Sequence, residues 1–371
     1  MTSTSGTTTQ RHRTRAGGFL VAGGVLGAVV ASTLATSVAP APAQASCIAT
    51  GFATLGTGCS SGGPLQWAIA IGDGATAIAT GGLFNFALAI GTDSAADTTP
   101  TTTTSGSFNV ALAGFGASAT TANGSFNIAR ALGYGAEAVA GGSAAAAGVP
   151  SGNFNLARAL GTGAVAQAMN GNFNIARGIG ERSTSVAGAD GSLQIARALG
   201  YETEATATGG SLQFARSFGY TSQASSTNGT LNVARAGRYP YLLGGIDGAT
   251  ASAGNGNLNL ARSVGVGTNA EAGFGNANLA WTGVFTTGNA ANDARAQYGN
   301  GNLAAIWGNG NTARAGGTTG TGNDRNLAIV AGQISTATAG PGSDNRVVTI
   351  GFNKDQSKPA AAAAARAARQ R

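Results

Sequence analysis

From residue 82 onward the chain repeats one pattern: Gly, a variable residue, Phe or Leu, Asn or Gln, an aliphatic residue, then Ala, as in Gly124-Ser125-Phe126-Asn127-Ile128-Ala129. The third residues of the copies are Phe84, Phe108, Phe126, Phe154, Phe173, Leu193, Leu212, Leu231, Leu258 and, with Ala substituting, Ala277. Echoes at Gly301-Asn302-Leu303 and Asn326-Leu327-Ala328 carry the pattern further. From Phe126 to Leu132 the bulky side chains take every second place, the two-residue period of a strand. About ten residues later a second alternating run follows, here Ala136-Glu137-Ala138-Val139-Ala140, in which small residues dominate. Each unit of about 19 residues thus predicts one bulky strand and one small-residue strand, with Gly at both corners where positive φ is cheap.

A two-strand coil cannot bury its own faces, so successive coils must stack, each strand pairing with its equivalents above and below. The predicted fold class is therefore all-β: a parallel β-solenoid, or β-roll, of two-strand coils over 66–352. Longer steps between copies read as loop insertions at 97–105, 141–149 and 237–248. The recurrent Asn or Gln is expected to form a buried ladder, each amide bonding to the next. That structural task accounts for these amides without assigning them a ligand.

Seven consecutive units place Arg at one position: Arg130, Arg158, Arg177, Arg197, Arg216, Arg235 and Arg262. Arg130 shares its parity with Phe126, Ile128 and Leu132, and burying such a row inside a narrow coil would cost several kcal/mol per unpaired charge. The economical arrangement puts Asn127, Ala129 and Ala131 inside and turns the Phe, Ile, Arg and Leu stripe outward. That stripe is too apolar to face water alone. Stacked like charges also repel, and counter-charge would come from Glu137, Glu181, Glu204 and Glu271 across an oligomer interface, from an anionic polymer, or from screening by solvent.

Composition narrows the function classes. Gly supplies 62 of 371 residues while charged residues make up 9%. The formal charge of +7 lies at the chain ends, around Arg11, Arg13 and Arg15 and again from Lys354 to Arg371. The body between is neutral, so no phosphate-tracking groove and no nucleic-acid partner is expected. The single histidine, His12, falls in a basic segment that precedes an apolar run over 16–39 and Ala43-Gln44-Ala45, the order of a secretory signal peptide over 1–45. An uncleaved membrane anchor is the alternative. Cleavage would leave a chain without imidazole, which removes Ser-His and Cys-His nucleophile pairs and the usual zinc sites. No catalytic residue, metal, cofactor or small-molecule substrate is expected. Export favours a disulfide between Cys47 and Cys59, closing a cap over 46–65 with about 3 kcal/mol of loop-closure stabilisation. The Ala/Arg-rich segment 353–371 reads as a flexible tail.

Two stretches, Ala68-Ile69-Ala70-Ile71-Gly72-Asp73-Gly74-Ala75-Thr76-Ala77 and Ala87-Leu88-Ala89-Ile90-Gly91-Thr92-Asp93-Ser94-Ala95, resemble the head repeats of trimeric autotransporter adhesins. The resemblance implies a left-handed parallel β-roll that trimerises and binds host or matrix surfaces. Gly273-Phe274-Gly275-Asn276-Ala277-Asn278 and Gly308-Asn309-Gly310-Asn311 resemble the Gly/Asn-rich repeats of exported mycobacterial surface proteins, which implies a secreted or cell-wall location. The expected function is non-enzymatic: a structural or adhesin-like surface component, self-associating or holding a cell-envelope or host polymer along its repeats. One alternative is an outer-membrane β-barrel pore, since about 19 residues also make two barrel strands. Another is a polysaccharide-cleaving β-helix working through carboxylates such as Asp73 and Asp93.

Overall fold

The computed structural model describes residues 46–98, 106–142, 152–188, 191–219, 221–237, 248–265, 267–283, 291–317 and 323–358. The expected signal peptide, the tail beyond 358 and most of each loop insertion lie outside the described residues. Every regular element among them is a strand. Two long sheets hold these strands, one of 16 and one of 15, and a sheet of three two-residue strands lines one corner. The chain visits the two long sheets alternately, and from Trp67 onward each strand pairs in parallel with its equivalent one coil away. Ile128, Ala129, Arg130, Ala131 and Leu132 stand opposite Leu156, Ala157, Arg158, Ala159 and Leu160. The fold is a parallel β-solenoid, whereas a barrel pore would need antiparallel neighbours closing a ring.

Side-chain alternation decides which face is inside. Ala129 and Ala131 of the first sheet and Ala138 and Ala140 of the second are 0% exposed. An interior of methyl groups admits only a thin roll, so bulk is turned outward: Ile128 remains 41% exposed and Phe126 45%. Toward the C-terminal end one inward column enlarges from Ser263 through Thr282 to Ile306 and Val330, all buried. Hydroxyls in that column are satisfied, Ser263 Oγ donating to the Thr268 carbonyl at 2.9 Å.

The amide ladder joins side chain to main chain, not amide to amide. The N–H of Asn155 donates to Oδ1 of Asn127 at 3.0 Å, and that of Asn174 donates to Oδ1 of Asn155 at 2.9 Å. The amide nitrogen of Asn127 turns to the carbonyl of Gly152, 2.8 Å away. Each buried Asn thereby bonds the corner of its own coil to that of the next. In the last coils a second such column opens at the opposite corner: Asn311 N–H donates to Asn292 at 2.8 Å, and Ser335 N–H to Asn311 at 2.9 Å.

Corners are left-handed at more than glycine. Phe84, Phe108 and Phe126 have φ of 58°, 61° and 61°, and Leu193 and Leu258 both have 58°. A bulky residue there costs about 1–2 kcal/mol. The Phe126 and Phe154 rings recover part of it by stacking at 4.8 Å with 2° between planes. Gly124 precedes this corner at φ 111°, and a Cβ there would overlap the carbonyl of Gly152. Only glycine fits that rung.

The first coil is capped by a reversal. Ser46–Thr50 pairs antiparallel with both Ala53–Leu55 and Trp67–Ile71. Cys47 is bonded to Cys59, which opens the first strand of the second sheet, so the disulfide ties the cap to both sheets. At the other end Asp355–Lys358 pairs with Thr336–Ala339, extending the second sheet past 352, where the sequence pattern fades. A final edge strand has no coil above it to fill, so a polar sequence can serve.

Candidate functional site

The seven arginines form one column on the outer face of the first sheet. Arg130, Arg158, Arg177, Arg197, Arg216, Arg235 and Arg262 are in register without a gap. Arg130, Arg197 and Arg262 are exposed and the other four are half-buried. Two parallel columns border them. One runs Ile128, Leu156, Ile175, Ile195, Phe214, Val233 and Leu260, and the other includes Leu132, Leu160, Ile179 and Leu199. The face is therefore a cationic track with an apolar column along its whole length on one side and, on the other, an apolar column that runs from Leu132 to Leu199 and gives way to Gly237 beside Arg235.

Neighbouring rungs lie 4.8 Å apart, as the stacked Phe rings measure. Two unit charges at such a separation repel by about 1 kcal/mol in water, and by more where water is displaced. The Nε of Arg158 and of Arg177 is buried without a hydrogen-bond partner. Partial desolvation, then the proximity of Arg177 and Arg130, lowers the pKa of Arg158 below the ordinary guanidinium value. Desolvation, then Arg235 and Arg197, does the same to Arg216. Among the described residues, relief comes from an aromatic ring: the Arg216 guanidinium sits 4.4 Å above the centre of Phe218, and that of Arg235 lies 5.6 Å from it.

Carboxylates lie elsewhere. Glu137, Glu204 and Glu271 sit on strands of the second sheet, and Glu181 lies in a turn between the sheets. Among the described residues, no arginine of the column has an ion-pair partner; the ion pairs are Arg182–Glu202, Arg295–Asp293, Arg314–Asp293 and Arg325–Asp344. Asp73 and Asp93 fall at one corner of adjacent coils, where the N–H of Asp93 donates to the carbonyl of Asp73. Among the described residues no three His, Cys, Asp or Glu side chains gather as a metal site would require. Compared with family models, with curated proteins and with solved structures, the chain matches none.

The same outward column continues into coils that carry no arginine. Before Arg130 it holds Ile69, Leu88 and Leu112, and after Arg262 it holds Trp281, Ala305, Ile329 and Val348. The fold is thus completed at this position by apolar side chains of several shapes. What sequence reasoning missed is the separation of the arginines and the glutamates onto opposite sheets. Their offset within each unit, first strand against second, carried that information.

Proposed function

We propose that this chain is an exported, non-enzymatic surface component that works as a rigid contact strip, its active element being the outer face of the first sheet. The observation that carries the reading is the column of seven in-register arginines beside apolar columns, none of which has an ion-pair partner among the described residues. Many identical weak contacts at fixed spacing bind as one multivalent surface, and their combined strength depends on the number of rungs. The disulfide supports export into an oxidising compartment. A structural or adhesin-like role in a cell wall or at a cell surface follows, with the partner lying along the repeat.

Retention of the purified protein on isolated bacterial cell walls and on matrix-coated surfaces tests this. Reversing two rungs, Arg197→Glu with Arg216→Glu, is expected to cut retention by at least about tenfold while far-UV circular dichroism stays that of the parent. Retention that is unchanged by the pair, with the fold intact, would remove the outer face as the contact surface.

A further inference from the structure

We propose that the arginine column is a track for a linear acidic polysaccharide, whose carboxylates dock along the row of guanidinium groups while the sugar rings lie over the flanking apolar columns. This rests on the contact-strip reading and names its ligand. Three observations lead to it. The fold does not need these charges, because Leu112 immediately before the column and Trp281 immediately after it occupy the same position. Among the described residues no acid neutralises them, since the ion pairs there involve other arginines. And the charges stand in register, rung after rung, without an interruption from Arg130 to Arg262.

The occupant must be anionic, extended and periodic. A polyuronate carries one carboxylate on every sugar, and a planar guanidinium donates two parallel hydrogen bonds to a carboxylate. Sugar rings also present C–H faces that suit rails such as Ile128, Leu156 and Ile175 on one side and Leu132, Leu160 and Ile179 on the other.

Other occupants fit less well. Single-stranded nucleic acid needs open aromatic faces on which bases stack, but the faces of Phe108, Phe126 and Phe154 are taken up by one another at 4.8 Å. A lipid surface that swallowed both rails would drag the arginines between them into hydrocarbon, because the cations occupy the centre of the stripe and not its rim. A second copy would have to offer acids at matching rungs, yet across these coils the strands of the second sheet carry only Glu137, Glu204 and Glu271 among the described residues. Two first sheets face to face would set arginine against arginine.

The experiment measures binding of the disulfide-intact protein to polygalacturonate, to its methyl ester, to a neutral glucan, to single-stranded DNA and to phosphatidylglycerol vesicles. Light scattering of the free protein runs alongside. Polygalacturonate is expected to bind with an affinity that falls steadily with salt, and the methyl ester and the glucan are expected not to bind. Arg197→Gln with Arg216→Gln should weaken binding by about tenfold with the melting temperature undiminished, and the corresponding Lys pair should recover part of it. Equal binding of acid and ester, indifference to the Gln pair, or tighter binding of DNA or vesicles than of polygalacturonate would each overturn the proposal. So would self-association of the free protein that the Gln pair abolishes. If polygalacturonate fails while wall retention still depends on Arg197 and Arg216, the ligand is wrong and the contact strip stands; if retention too is indifferent to them, the contact strip falls as well.

Discussion

Among the described residues arginines are stacked in two places, and the surroundings differ. On the second sheet Arg295 lies in register with Arg314, and the chain surrounds them with acid: Glu271 is the rung before Arg295, and Asp293 contacts both arginines, at 2.9 Å and 3.9 Å. The hydrogen bond to Asp293 raises the pKa of Arg295, outweighing its partial burial. On the first sheet seven arginines are stacked in the same way with no ion-pair partner among the described residues, and the pKa of Arg158 and of Arg216 moves down instead. Identical backbone geometry therefore holds a neutralised pair on one face and a bare row on the other. The solenoid permits counter-charges beside a stacked guanidinium, and on the first sheet it leaves them out.

Perturbing the stacks should separate these cases. The largest effect belongs to the inner amide column, the stack that carries its own partners. Asn155→Leu would orphan the N–H of Asn174 and the carbonyl of Gly171, which lie 2.9 Å and 3.0 Å from the amide. Chemical denaturation should show a loss of about 2–5 kcal/mol. Next comes the compensated pair: Asp293→Asn removes the charge that Arg295 and Arg314 share, and a loss of about 1 kcal/mol is expected. A variant as stable as the parent would mean that Asp293 does not offset the repulsion. On the bare row the sign reverses. Arg197→Leu copies what Leu112 does at the same column, and the protein should gain up to about 1 kcal/mol in low salt. The smallest effect is ionic. Raising NaCl from about 0.01 M to about 0.5 M should stabilise the parent slightly more than the Arg197→Gln, Arg216→Gln pair, because only the parent has the full row to screen.

Much of this was legible in the sequence because a stacked coil repeats its letters in space. The alternation through Ile128, Ala129, Arg130, Ala131 and Leu132 gave strand, face and register together, and Cys47 with Cys59 gave the staple. Parity alone put the alanines inside, since seven unpaired arginines cannot be. Less legible was the handedness of each corner. Glycine stands two residues before each corner Phe or Leu, so nothing in the letters says that the bulky residue also takes positive φ; stacking of Phe126 on Phe154 and the buried amide beside them hold it there. Nor did the Asn pattern distinguish amide-to-amide bonding from the observed bond to the next backbone N–H, because both require the same spacing. The antiparallel cap was hidden for another reason: Ser46–Thr50 lies outside the repeat, and its direction is set by the turn that follows it.

Thermal unfolding of the parent and of the Arg197→Gln, Arg216→Gln pair, each with and without polygalacturonate in low salt, tests the central claim most directly. An uncompensated row built to receive a polyanion requires that the polymer raise the parent's melting temperature by binding the folded state. It also requires that the pair melt no lower than the parent when alone and respond to the polymer less. A pair that melts well below the parent without polymer, or a polymer shift that is equal in both proteins, would contradict it.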